Sequence, residues 1–231
     1  ALSYGVLIGG LFQFLLMYRA VLNFYRPRIK LPKLNARMKK FFTLFLPGII
    51  GSGVIQLNII IGTMIASLLP TGAISHIYYA DRLNQLPLAV FGIAMGIVLL
   101  PSMSKEIIKN DHKKIKTIQN RSIEFCLLIS LPSSVGLYIL SEPIIHILFE
   151  RGAFVSEDTL YTAQVLSMFA LGLPAYILIK VLVTCFFARE DTKTPLYVSL
   201  VAVTANIILS LILIQSMREI GIALATAISA W

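Results

Sequence analysis

Residues 44–69 read LFLPGIIGSGVIQLNIIIGTMIASLL, an unbroken stretch without a single Asp, Glu, Lys or Arg. A helix rises about 1.5 Å per residue, so roughly 20 such residues cross the ~30 Å hydrocarbon core of a bilayer. The stretch is continuous rather than alternating, which selects a helix over a barrel strand. Comparable runs lie to either side, at about 1–18, 76–100, 122–141, 160–187 and 195–216, and a last one starts near 220. The 231 residues are 57% hydrophobic and only 13% charged, with a mean hydropathy of +0.83. A soluble domain carries about a quarter charged residues, and one aqueous core holding all these runs would have almost no polar faces to cover it. The expected fold class is all-α: a polytopic transmembrane helix bundle of about six spans plus a truncated one.

The charges between the runs order the chain further. Residues 19–40 hold eight basic side chains, 101–121 hold six, and Arg189 and Lys193 lie in 188–194. The alternate connections differ: 70–75 has none, 142–159 sets Arg151 against Glu142, Glu150, Glu157 and Asp158, and 217–219 has one charge of each sign. Sixteen of the twenty basic residues thus fall on every second connection, which by the positive-inside rule places 19–43, 101–121 and 188–194 in the cytoplasm. Three parts are expected: 1–18 as the end of a preceding transmembrane helix, 19–43 as a basic linker with an interfacial helix, and 44–231 as a bundle truncated at its C-terminus. The chain opens within one apolar run and stops within another, so it is expected to belong to a longer protein. The net charge of +9 is a matter of topology and of anionic membrane lipids, not of nucleic acid. Segment 143–149 is too short to span and reads as an amphipathic piece at the outer surface.

Ionisable groups inside spans are costly in hydrocarbon, so they are functional candidates by default. Asp81 and Arg82 sit roughly 8–9 Å below the end of their span at 1.5 Å per residue. Adjacent helical residues point about 100° apart, so the two cannot pair neatly with each other. Lys180 lies near the middle of 160–187, too deep to reach either surface easily. Asn58, Ser75 and Gln85, with Gln56 and Asn84, add hydrogen-bonding groups that together suggest a polar lumen, although each alone suits interhelical packing. Pro87, Pro132 and Pro174 interrupt helices, and Gly5/Gly9 and Gly92/Gly96 have the spacing that lets helices approach closely.

Several chemistries are not indicated. Cys126 and Cys185 lie within apolar runs as small hydrophobes, with no disulfide framework. His76, His112 and His146 are scattered without ligand spacing or carboxylate partners in sequence. No glycine-rich phosphate loop, nucleophile elbow or zinc-protease motif appears. No cofactor is expected.

Tyr78-Tyr79-Ala80-Asp81-Arg82-Leu83 opens an ordered series of motifs. Pro87, Phe91-Gly92, Gly96 and Leu100-Pro101-Ser102-Met103-Ser104-Lys105 follow, then Leu131-Pro132-Ser133 and Leu148-Phe149-Glu150-Arg151-Gly152-Ala153-Phe154. Gly172-Leu173-Pro174, Lys180-Val181-Leu182 and 188–195 (AREDTKTP) complete it. In this order the chain resembles the MurJ/MviN lipid II flippases, within the multidrug/oligosaccharidyl-lipid/polysaccharide exporter superfamily. The resemblance implies the end of a sixth helix and most of the second lobe of a two-lobed exporter of about fourteen helices around a V-shaped cavity. It implies that lipid II, an undecaprenyl-pyrophosphate carrying a disaccharide-peptide, moves from the inner to the outer leaflet of the bacterial cytoplasmic membrane by alternating access. The missing N-terminal lobe of the same protein would be the other wall. It matches Arg82 to the family's cavity arginine, Asp81 to the neighbouring acid, Ser75 to a cavity serine and Lys180 to a cavity lysine. Gln85 stands where some relatives have glutamate.

The physics agrees with an anionic cargo. A diphosphate leaving water loses hydration that a charge-assisted hydrogen bond in a low-dielectric cavity offsets, and the planar guanidinium suits phosphate oxygens. Arg82 is expected to grip the pyrophosphate, with Asp81 fixing its orientation. Three other readings differ in what they predict. A related exporter of a drug or another polyprenyl-linked glycan would rely more on intramembrane carboxylates, an intramembrane lipid-linked transferase would release a covalently changed product, and a structural module would tolerate neutralising Asp81, Arg82 and Lys180.

Overall fold

A computed structural model of the chain describes residues 2–24 and 35–231. The expectations for 25–34, with Arg26, Arg28, Lys30 and Lys33, lie outside the described residues. Every regular element among the described residues is a helix: α1 (Leu2–Phe24), α2 (Ala36–Ala66), α3 (Ala73–Pro87), a π-helical segment (Leu88–Ile93), α4 (Ala94–Ile108), α5 (His112–Ile139), α6 (Ser141–Phe149), α7 (Ser156–Ala188) and α8 (Lys193–Ala230). Among the described residues, six helical stretches are long and apolar enough to cross a membrane. The chain divides into two compact units, Ala1–Lys40 and Phe41–Trp231. The start of the expected interfacial helix, residues 36–40, is continuous with α2.

The second unit is built around α7. Its apolar residues are spread around the helix rather than gathered on one stripe, as suits a helix packed on several sides. It packs against α3, the π segment, α4, α5, α6 and α8. Leu173, Ile177, Val181 and Cys185 of α7 meet Leu99 and Met103 of α4 and Cys126 of α5 in one buried cluster. One turn-set earlier, Leu166 and Phe169 meet Ala80 and Leu83 of α3, Ile145 of α6 and Ala223 of α8. The Gly92/Gly96 pair does what its spacing predicts. The Lys180 stem lies 3.5 Å from where a Cβ on Gly92 would stand, and the Thr184 hydroxyl 3.4 Å from one on Gly96.

Proline shapes two of these helices. Pro87 ends α3, offering no N–H to the Leu83 carbonyl one turn earlier, and the ladder widens into the π segment directly after it. The apolar run 76–100 is therefore not one straight helix. In α7, Pro174 has no N–H for the carbonyl of Ala170. The Ser134 hydroxyl of α5 donates to that carbonyl instead, at 2.6 Å and buried. Ser134→Ala orphans the carbonyl and is expected to cost about 1–3 kcal/mol. Adding Pro174→Ala restores the N–H, so the double variant should lose less than the sum of the singles. Thermal unfolding of the purified full-length protein measures this, and strictly additive losses would refute it.

α8 is two arms. Asn206 donates to Thr226 and Ser229, both at 3.2 Å, whereas twenty residues of straight helix would separate them by about 30 Å. The chain turns back at Arg218, which has non-helical φ 52°, ψ −133°. The arms match the runs expected at 195–216 and from 220, with the short connection 217–219 between them. Contacts also sort the connections by end. Arg189 donates to Gln119 at 3.4 Å, joining the basic connections 188–194 and 101–121. His76, in the first turn of α3 beside the connection 70–75, reaches Asp158 and Glu219, in 142–159 and 217–219.

The motif at 148–154 is a corner rather than a site. Phe149 and Phe154 pack on Tyr79 at 4.8 and 5.6 Å, and Gly152 turns with φ 64°. Glu150 accepts from Thr159 at 2.6 Å and bonds His146 at 2.8 Å. The Thr159 hydroxyl, then the His146 bond, hold its carboxyl below the ordinary glutamate value. At 188–195, Asp191 accepts from the Lys193 and Thr194 N–H groups and caps the start of α8. Segment 143–149 falls within α6, a short helix as its length requires.

Candidate functional site

The polar residues of α3 divide between two faces. Asp81, Asn84, Gln85 and Leu88 follow helical i, i+3, i+4, i+7 spacing and line one cavity of about 380 Å³. Ala89, Phe169, Tyr176, Lys180, Thr226 and Ile59 complete its wall. Among the described residues, Asp81 and Lys180 are its charged lining residues, one of each sign. Gln85 donates to the Asp81 carboxylate, and among the described residues no ion pair joins Asp81 to Lys180. Asn84 is 3% exposed, and both its side-chain oxygen and the Tyr176 hydroxyl are buried without a hydrogen-bond partner. Buried polar atoms of this kind are costly unless something occupies the cavity beside them. The volume lies at the low end of small-molecule sites.

Tyr176 reaches this wall because of Gly172. A Cβ there would stand 2.5 Å from the Tyr176 ring and 2.9 Å from the Ala227 Cα on the second arm of α8. Only a residue without a side chain lets the ring lie along α7 while the arm packs behind it.

Arg82 is on the other face of α3. Its guanidinium donates to the Tyr78 hydroxyl at 2.8 Å and lies 4.6 Å over that ring. Arg82, Tyr78, Ser75 and Leu86 are all exposed. Tyr78, one turn back, therefore positions the guanidinium, while Asp81 is held by Gln85. Of the expected site residues, the cavity gathers Asp81, Gln85 and Lys180. Arg82 and Ser75 share the open face. Asn58 lines neither, although its side-chain oxygen is also buried without a partner.

Asn84, Tyr176 and Thr226 belong to the lining as well. Tyr176 was accessible by spacing, since it stands four residues before Lys180. The His76–Asp158–Glu219 cluster was not, because its members are separated by 82 and 143 residues. His146, expected to have no carboxylate partner in sequence, has Glu150 four residues on, because i and i+4 share a helix face; the two carboxylates of His76 are distant in sequence.

A family model described as lipid II flippase MurJ matches residues 1–231. A protein of Rhizobium tropici named "Probable lipid II flippase MurJ" is 43% identical over all of this chain and 43% of its own length. One of the same name from Rickettsia prowazekii (strain Madrid E) is 42% identical over all of this chain and 46% of its own length. A solved structure of lipid II flippase MurJ in an inward closed conformation superposes with a TM-score of 0.78 at 32% identity, over 97% of this chain and 46% of that one. An outward-facing multidrug resistance MATE family transporter of the MOP superfamily shares the fold, with a TM-score of 0.74 at 15% identity over 83% of this chain and 42% of its own. The chain spans about half the length of the curated relatives it matches. It is a multi-pass membrane protein built of helices, and it belongs to the lipid II flippase MurJ family.

Proposed function

We propose that the whole protein carries lipid II from the inner to the outer leaflet of the cytoplasmic membrane by alternating access, with this chain supplying the second lobe. Connections 19–43, 101–121 and 188–194 then face the cytoplasm, and the N-terminal lobe forms the opposing wall. The protein relocates its substrate without changing it covalently.

The observation that carries this reading is the Arg82 guanidinium on the open face of α3. Tyr78 uses one of its donors and the ring holds its plane, which leaves other donors free for two phosphate oxygens. Ser75 lies on the same face. The Asp81–Lys180 cavity is too small for a disaccharide-peptide. It serves as a polar lining whose orphaned acceptors and ammonium are wetted when the lobes part.

Arg82→Ala in the full-length protein should reduce lipid II translocation roughly tenfold at unchanged abundance, the scale of one lost charge-assisted contact. Arg82→Lys should recover part of it, since charge returns without the planar fork. Translocation is read from cells whose lipid II supply to the outer leaflet depends on this protein. Normal translocation by Arg82→Ala at wild-type abundance would overturn the assignment.

A further inference from the structure

Three side chains from three helices meet at the end of the bundle opposite the basic connections. The Nδ1 of His76 lies 3.2 Å from Glu219 Oε1, and its Nε2 lies 3.0 Å from Asp158 Oδ1. Side-chain exposure is 7% for His76, 1% for Glu219 and 30% for Asp158. Tyr161 of α7 stacks on the imidazole at 5.7 Å. Arg218 Nε lies 3.5 Å from Glu219 Oε2, and its guanidinium sits 5.4 Å over the Tyr161 ring. Among the described residues, these are the charged and titratable groups of α7 and α8 found in contact with His76 or with its two carboxylates.

The arrangement does not suit a metal. The two ring nitrogens point in opposite directions, each already against a carboxylate, so the three residues do not converge on one centre. Among the described residues no group of His, Cys, Asp and Glu could hold a metal ion.

It does suit a proton. A neutral imidazole has one N–H and one bare lone pair. With both carboxylates ionised, one gap holds a hydrogen bond and the other sets a lone pair against a carboxylate oxygen. Both gaps close only when the group takes up one more proton, on the second ring nitrogen or on a carboxylate. Without it, two negative charges face the single positive charge of Arg218, with Glu219 buried. With it, α3 is hydrogen-bonded to both α7 and the reversal of α8.

We infer that His76, Asp158 and Glu219 form a proton-binding site that fastens α3 to α7 and α8 when occupied. The proton comes from the aqueous phase through the part-exposed Asp158 and returns there. No other bond is made or broken. Glu219 adjoins Arg218, whose φ of 52° is strained for a non-glycine residue, so the contact that the proton controls holds the least relaxed point of α8. The inference is independent of which lipid the protein carries.

The test uses the full-length protein in lipid nanodiscs, with spin labels at the exposed Ile74 of α3 and Gln215 of α8. The distance between them is measured from about pH 5 to about pH 8, the window in which an imidazole can serve as a proton switch. The expected result is one short distance at acidic pH and a second, longer population that grows as pH rises, by up to about tenfold per pH unit for a single proton. Glu219→Gln supplies a permanent amide donor to the imidazole, so this variant should keep the short distance throughout. A wild-type distance unchanged across the range overturns the proposal without any variant. A Glu219→Gln protein that keeps the wild-type pH transition overturns it as well.

Discussion

Leucine at position 221 should prevent the full-length protein from reaching its folded state. A Cβ on Gly221 would stand 2.6 Å from the Leu213 carbonyl oxygen and 2.9 Å from the Leu213 Cβ. Both atoms belong to the opposing arm of α8, five residues before the reversal, whereas Gly221 stands three residues beyond it. The obstacle is backbone, so no rotamer change relieves it, and the arms can separate only by losing the Asn206 bonds to Thr226 and Ser229. Even alanine overpacks this contact, by about 1–3 kcal/mol on the scale of inserted methyl groups. Leucine adds three more carbons and should reduce the membrane-inserted, protease-resistant protein to a small fraction of wild type, with Gly221→Ala intermediate. Quantitative immunoblotting and thermal unfolding in detergent measure both. A Gly221→Leu protein of native abundance and stability would show that the arms are not held this closely.

The second large effect is functional. Lys180→Glu should lower translocation by about a hundredfold or more, while Lys180→Gln should be milder. The native cavity holds one cation, Lys180, and one anion, Asp81, in its lining. Reversal puts two carboxylates around a small cavity inside the spans, and juxtaposed like charges in a poorly solvated site cost several kcal/mol. One carboxyl must then take a proton or the wall must spread, and an anionic cargo meets repulsion where it met attraction. The stem of Lys180 rests on Gly92 of the π segment, and a glutamate stem is shorter, so packing loss alone is small. Translocation per folded molecule is the quantity to compare. Equal rates for wild type and Lys180→Glu would remove Lys180 from the transport path.

The spans were legible because hydrocarbon imposes a length and an absence of charge that local composition records directly. The reversal of α8 was legible for the related reason that Arg218 and Glu219 interrupt an otherwise apolar stretch. The cavity was half legible. Helical spacing alone places Asp81, Asn84 and Gln85 on one stripe and Arg82 about 100° away, yet adjacency in sequence suggested a joint role for Asp81 and Arg82. Tyr78 and Gln85, each one turn away, took the two partners instead. Asn58 illustrates the limit from the other side, since a polar residue in a span announces a constraint but not which wall it serves. The His76 cluster was illegible because Asp158 and Glu219 read as ordinary loop charges, and only the meeting of three helix ends removes them from water.

The reversal at Arg218 also bears on how the protein is made. Two apolar arms joined with no more than the connection 217–219 leave no polar loop long enough to be handled separately during synthesis. The second arm has to enter the bilayer while the first is still beside it, as a preformed hairpin, with Gly221 already facing Leu213. Whatever delays that pairing leaves Glu219 stranded among acyl chains. The fidelity of biogenesis at this hairpin thus depends on the same close approach that stabilises the finished bundle.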